Sequence, residues 1–154
     1  MASPRIISDS IVVDASPAVI FAILADPSAH LEIDGSESVQ RVTSTQTRRK
    51  LALGDRFGMR MKIGLPYTVR NTVVEYDDNR LIAWQHFAKH AWRYELDEFE
   101  AGCTRVTESW DWSGSPYARL IELFGFPNRN RKGIAASLPK LKALAEKHAA
   151  QAKT

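Results

Sequence analysis

From Phe57 to Trp112 apolar and polar residues alternate with a period of two, and only one long helical pattern follows them. No other feature constrains the fold as strongly. Such alternation marks strands buried on one face, hence antiparallel hairpins. Phe57, Met59, Met61 and Ile63 share a face, against Gly58, Arg60 and Lys62. A three-residue turn at Gly64-Leu65-Pro66 then sets Ile63 opposite Tyr67, Met61 opposite Val69, Met59 opposite Asn71 and Phe57 opposite Val73. A four-residue loop, Asp77-Asp78-Asn79-Arg80, puts Ile82, Trp84 and His86 on the face of Asn71 and Val73, unless a bulge reverses them. Trp92, Tyr94 and Leu96 alternate with Arg93, Glu95 and Asp97. A turn at Glu100-Ala101-Gly102 then pairs Leu96 with Val106, Tyr94 with Glu108 and Trp92 with Trp110. A carboxylate, Glu108, thus falls on an aromatic face.

The flanks supply one more strand and the helices. Arg5 to Val13 is rich in Ile and Val and reads as a strand. Ser16-Pro17 and Asp26-Pro27 each place a capping side chain before a proline that needs no N–H. They start two short helices, Ala18 to Ala25 and a second through about Ile33, closed by a turn at Asp34-Gly35. Ser115-Pro116 repeats the signal, and Tyr117, Leu120, Ile121 and Phe124 follow at helical spacing. Gly125-Phe126-Pro127 interrupts that pattern before Ile134, Leu138, Leu141, Ala145 and His148 resume it. The resulting C-terminal helix spans at least Lys132 to Lys147. Pro139 lies inside it, and an interior proline costs roughly 3 kcal/mol, which predicts a kink or a restart capped by Ser137.

A sheet with one apolar face must cover it, and one helix covers a wide sheet incompletely. The fold class is therefore α+β. A curved antiparallel sheet of six to seven strands wraps around the long C-terminal helix, with two short helices after the first strand. The space left between sheet and helix is the natural ligand site.

Composition narrows the function classes. The 154 residues suit a single domain over 1–154, and 44% hydrophobic with 25% charged is globular. Lys and Arg exceed Asp and Glu by 21 to 18, too small an excess to imply nucleic acid. The single Cys103 excludes an internal disulfide and a cysteine zinc cage. The first ten residues lack an apolar signal core, and the longest apolar run, Ala18 to Ala25, is too short to span a bilayer. The chain reads as a soluble cytoplasmic protein without stable membrane insertion. Its oligomeric state is open.

Several segments together resemble a known family. They are Asp14-Ala15-Ser16-Pro17 with Ile20-Phe21, Asp26-Pro27, Gly54-Asp55-Arg56-Phe57, Trp84, Trp92-Arg93-Tyr94 and Thr104-Arg105-Val106-Thr107-Glu108, closed by a basic terminal helix. In order and spacing the chain resembles the START-like helix-grip superfamily (SRPBCC), in its polyketide cyclase/dehydrase-like branch. The resemblance implies a shared pocket and a range of functions: lipid and steroid carriers, polyketide aromatases and cyclases, hormone receptors and co-chaperones. It carries over no catalytic residue.

The candidate ligand-binding residues follow from alternation and helical spacing: Met59, Met61, Asn71, Trp84, His86, Trp92, Tyr94, Glu108 and Trp110 from the sheet, with Leu120, Phe124 and Leu138 from the helices. The expected partner is a small hydrophobic molecule, lipid-like or aromatic and polyketide-like. Glu108, Tyr94 and His86 are the candidate acids and bases if the protein is instead a cyclase or dehydratase. A third alternative is an interaction module whose pocket is vestigial. Glu108 can equally sit at the cavity mouth or pair with an arginine, and the tryptophans can be plain core. His86 and His90 stand four apart but show no third ligand, so no metal is expected. His30, Asp34 and Ser36 hold the letters of a hydrolase triad without a nucleophile elbow. Arg48-Arg49-Lys50, with Arg56, Arg60, Lys62 and Arg70, forms a basic outer face that reads as solvated. No organic cofactor is implied.

Overall fold

The computed structural model describes residues 4–45 and 50–153. Arg48 and Arg49 of the basic cluster lie outside these residues. Strand β1 (Ile6–Val13) leads into helix α1 (Pro17–Leu24), where the Ser16 hydroxyl accepts the Val19 N–H at 3.4 Å. The Asp26 carboxylate accepts the Ser28 N–H at 3.0 Å and starts a 3-10 turn that continues into α2 (His30–Ile33). Six strands follow: β2 (Val39–Thr45), β3 (Arg56–Ile63), β4 (Leu65–Asp77), β5 (Leu81–Gln85), β6 (Ala91–Glu100) and β7 (Cys103–Asp111). Helices α3 (Ala118–Leu123) and α4 (Phe126–Ala152) complete the chain. All neighbouring strands are antiparallel, in the order β1-β7-β6-β5-β4-β3-β2. The seven strands curve around α4, which makes this a helix-grip fold.

The strand registers show where alternation is a sufficient guide. Leu96 pairs with Val106, Tyr94 with Glu108 and Trp92 with Trp110, as the sequence requires. Val73 pairs with Trp84, although a bulge lies between Val73 and Glu75; Asp77 pairs with Leu81, so a shorter loop offsets the bulge. The β3–β4 hairpin differs from expectation. Ile63 pairs with Leu65, Met61 with Tyr67, Met59 with Val69 and Phe57 with Asn71, a slip of two residues. Gly64 alone makes the turn, at a φ of 74° that only glycine adopts without strain. A slip of two leaves every side chain on its expected face.

Gly125, at φ 75°, separates α3 from α4. Helix α4 then runs unbroken through Pro139, contrary to the expected kink or restart. Pro139 and Ala135 are both exposed, so the carbonyl that loses its partner faces water. Ser137 does not cap a helix. Its hydroxyl accepts the Gly35 N–H at 2.9 Å. Gly35 lies against the α4 backbone so closely that a Cβ there would stand 2.2 Å from Ser137 N and 2.4 Å from Gly133 O. Lys140 Nζ adds a bond to the Asp34 carbonyl at 3.0 Å.

The core beneath the C-terminal half of α4 is closely packed. Val13, Phe21, Leu24, Ile82, Val106, Leu141 and Ala145 are fully buried there. The outer sheet face carries charge: Arg60 and Arg105 are exposed, and Arg93 pairs with Glu75 at 2.9 Å and with Glu95 at 2.8 Å. Lys50 binds Asp78 at 2.5 Å. Among the described residues no helix is long and apolar enough to cross a membrane.

Candidate functional site

The packing opens toward the N-terminal half of α4 into a cavity of about 660 Å³. The sheet supplies Met59 and Met61 from β3, Val69 and Asn71 from β4, Trp84 from β5, Trp92 and Tyr94 from β6, and Glu108 and Trp110 from β7. Strand alternation sends all of them inward. The β5–β6 connection adds His86, Phe87 and His90. Opposite them stand His30 and Ile33 of α2, Ile121 of α3, and Phe126, Arg129, Asn130, Gly133 and Ser137 of α4. Ile63, Tyr67 and Phe87 are solvent-exposed and mark the mouth.

Three residues expected at the site are elsewhere. Leu120 and Phe124 are 50% and 72% exposed, on the outside of α3 and its end. The break at Gly125 is the reason: α3 does not continue the α4 face, and it turns Ile121 inward instead. Leu138 is 2% exposed but packs in the solid core one position beyond Ser137. Of the α4 residues that do line the cavity, Arg129, Asn130, Gly133 and Ser137 escape a hydrophobic stripe because they are small, polar or charged, and Phe126 because it lies in the interruption at Gly125-Phe126-Pro127. Their positions 126, 129, 130, 133 and 137 form a helical face once hydrophobicity is set aside.

The aromatic wall is held by its own contacts. The His30 ring stacks on Trp84 at 4.8 Å and meets Phe57 edge-on at 5.5 Å. Trp84 lies 5.6 Å from Tyr94, Trp92 lies 6.0 Å from Trp110, and Trp110 stacks on Trp112 at 4.6 Å. His30 Nε2 bonds the Leu24 carbonyl at 2.9 Å, and burial lowers its pKa. Asp34 accepts from Ser36 and from the Val39 N–H, so His30, Asp34 and Ser36 build a loop and no proton relay.

Glu108 is the polar centre. It is 2% exposed, and its Oε1 accepts the Tyr94 hydroxyl at 2.8 Å. Its Oε2 is the buried side-chain polar atom that has no hydrogen-bond partner among the described residues. Desolvation raises the Glu108 pKa to about 8, against the lowering effect of the Tyr94 bond, with Asp34 and Asp9 adding repulsion. Burial, followed by the Glu108 charge, holds the Tyr94 phenol well above its ordinary value.

The two histidines at the Trp110 end stay neutral. His90 Nδ1 accepts the Trp110 indole N–H at 3.0 Å, and His86 Nδ1 accepts the Ala88 N–H at 3.2 Å. Each therefore carries its proton on Nε2. Their rings stand 3.9 Å apart, and burial followed by the neighbouring His86 lowers His90 to about 3. Among the described residues no three His, Cys, Asp or Glu side chains are grouped to hold a metal ion. Cys103 Sγ donates to Asp14 at 3.3 Å, away from the cavity.

Residues 4–146 match the family described as polyketide cyclase / dehydrase and lipid transport. The chain belongs to this family. Two uncharacterized proteins from strains of Mycobacterium tuberculosis are each 37% identical to it over 145 residues, which is 91% of this chain and 64% of theirs. This family member thus spans just under two thirds of the length of those relatives. A crystal structure of a Mycobacterium smegmatis protein superposes with a TM-score of 0.67 at 18% identity, covering 94% of this chain and 92% of that one. A Polyketide_cyc-like protein from Corynebacterium glutamicum gives 0.60 at 18% identity, covering 99% and 96%. At such identities the likeness is one of fold.

Proposed function

We propose that the protein binds a small hydrophobic molecule, lipid-like or aromatic, in the cavity between the sheet and α4. The observation that carries this reading is the cavity itself. Protein interiors hold few voids larger than a water molecule, and about 660 Å³ walled by tryptophan, methionine and aliphatic side chains falls within the size range of small-molecule pockets. A few placed polar groups, Thr68, Asn71, Tyr94 and Glu108, interrupt an otherwise apolar sheet wall. The family description, which includes lipid transport, supports the same reading. Denaturing extraction of the purified protein followed by mass spectrometry is expected to release a hydrophobic compound. Titration with naphthalene-type probes is expected to change the fluorescence of Trp84, Trp92 and Trp110. A protein that carries nothing and takes up no such probe refutes the reading.

One observation favours a second reading, a cyclase or dehydratase. Glu108 holds its proton near neutral pH beside the cavity, as a general acid must. Polyketide-like substrates turned over by the wild type, and slowed by two to four orders of magnitude in Glu108→Gln with binding intact, are the result that selects it.

A further inference from the structure

Glu108 is more specific than an apolar cavity requires. Hydrophobic binding alone is served by Leu or Met at this position, as at Met59 and Met61. A carboxyl group stands there instead, and it is only half satisfied: Oε1 has the Tyr94 hydroxyl, and Oε2 has no partner among the described residues. Among the described residues no lysine or arginine bonds it either. An ionised carboxylate buried with a single hydrogen bond is strongly disfavoured, so the group holds a proton. Because Tyr94 donates to Oε1, that oxygen is the carbonyl and Oε2 carries the hydrogen. Glu108 lines the cavity, and its Oε2–H is a buried donor that has no acceptor among the described residues.

We propose that this donor recognises the bound molecule: Glu108 Oε2–H gives a hydrogen bond to a neutral carbonyl oxygen, so the ligand class is an apolar compound bearing a ketone, ester or amide. The inference rests on the hydrophobic-binding reading above and specifies its chemistry. An organic cation is the competing occupant of an acid among aromatic rings. It must displace the proton that Glu108 already holds and shed its own hydration in an apolar cavity, whereas a carbonyl needs only to accept the bond. The groups that set the charge around Glu108 are Tyr94 on β6, Asp9 on β1 and Asp34 after α2. On the remaining wall His30, His86 and His90 are neutral, and Arg129 of α4 is the cationic residue.

The test compares 2-acetylnaphthalene, 2-ethylnaphthalene and 1-(2-naphthyl)ethylamine, matched closely in shape, by tryptophan fluorescence titration. Wild type is expected to prefer the ketone over the hydrocarbon by about tenfold or more at pH 7. With a Glu108 pKa of about 8, ketone affinity is expected to fall about tenfold between pH 7 and pH 9, while hydrocarbon affinity stays flat. Glu108→Gln keeps an N–H donor at the same place, so it should retain the ketone preference and lose the pH dependence. Glu108→Met should bind both probes equally, with folding checked by circular dichroism. If Glu108→Met does not fold, the flat pH profile of Glu108→Gln still decides. Equal wild-type affinities for ketone and hydrocarbon overturn the inference and leave hydrophobic binding standing. Amine affinity that exceeds the ketone's and rises with pH overturns it in favour of a cation site. No binding of any probe removes the hydrophobic-binding reading and the inference with it.

Discussion

From Leu138 onward α4 presses Leu138, Leu141 and Ala145 onto the buried side chains of β1, β7 and α1. From Phe126 to Ser137 the same helix offers Asn130, Gly133 and Ser137 to a cavity. The sheet beneath both halves is equally rich in large side chains, with Trp84 and Trp110 under the open half and Ile82 and Val106 under the packed one. The cavity therefore owes its existence mainly to the helix. Where α4 carries leucine the space fills, and where it carries glycine, serine and asparagine the space stays open. The Asp34–Ser38 loop holds the helix at that distance, because Gly35 touches its backbone directly.

Substitutions that treat the halves unequally test this division. Leu141→Ala in the packed half should destabilise by about 2–5 kcal/mol, since it creates a new void in a filled region. Met61→Ala, at the edge of an existing void, should cost far less stability and weaken probe binding more. Urea denaturation of the two variants, run beside fluorescence titration, checks the contrast. Equal losses of stability at the two sites contradict a filled half and an open half.

The second effect belongs to the open half alone. The folded pKa of Glu108 lies above its ordinary value of 4.5, at about 8, so the native state binds more protons than the unfolded state between those values. The Glu108 contribution to stability then falls as pH rises through that window, by roughly 1.4 kcal/mol per unit between pH 6 and pH 7, whereas the lowered histidines act in the opposite sense below their ordinary value of 6.5. Glu108→Gln removes the titrating group and should flatten this slope, leaving the variant more stable than wild type at pH 9. Urea midpoints at pH 6 and pH 9 measure it. Parallel pH profiles for the two proteins would show that Glu108 does not titrate in the fold.

The same two halves explain what the sequence revealed. The packed half and the β6–β7 hairpin were legible because alternation, a short turn and large apolar residues agree on one register. Tyr94 opposite Glu108 is the main product of that agreement. The β3–β4 slip of two residues was invisible, because an even shift preserves every face and only the Gly64 turn distinguishes the registers. The helical wall of the cavity was largely hidden. A hydrophobic stripe finds Leu138 and Leu141, which fill space, and passes over Asn130, Gly133 and Ser137, which border it. Leu120 and Phe124 were misplaced for a related reason: the interruption at Gly125 was visible, but the rotation of α3 it permits was not. His30 carried a usable signal, lying three residues before Ile33 on a short capped helix.

Gly35→Ala attacks the support between the halves. Its Cβ would overlap backbone atoms of Ser137 and Gly133, at 2.2 Å and 2.4 Å, and neither can rotate away. The loop must retreat from α4, at a cost of about 1–3 kcal/mol, and the Gly35 N–H bond to Ser137 should be lost with it. Amide hydrogen exchange should be faster at position 35 in the variant than at Gly35 in the wild type. Unchanged protection there contradicts a direct support.

Gly133→Ala is the mildest change and separates stability from space most cleanly. Gly133 sits inside α4 at the cavity wall, where a new Cβ meets Ser36 Cβ at 3.5 Å and Ser36 Cα at 3.9 Å. These are ordinary contacts, so no strain opposes the substitution. Glycine in a helix interior is worse than alanine by about 1 kcal/mol, which the variant should recover as stability. The added methyl lies on the cavity side of the helix and reduces the space available to a probe. The expected result is a protein up to about 1 kcal/mol more stable that binds bulky probes more weakly, with naphthalene-sized probes affected least. Thermal denaturation and titration with probes of increasing ring number measure both quantities. A gain in stability with no effect on the largest probe would place the occupied region away from Gly133, toward the mouth at Tyr67 and Phe87. A loss of stability would mean that the contact between α4 and Ser36 is already as tight as at Gly35, and that the open half is held apart by two supports.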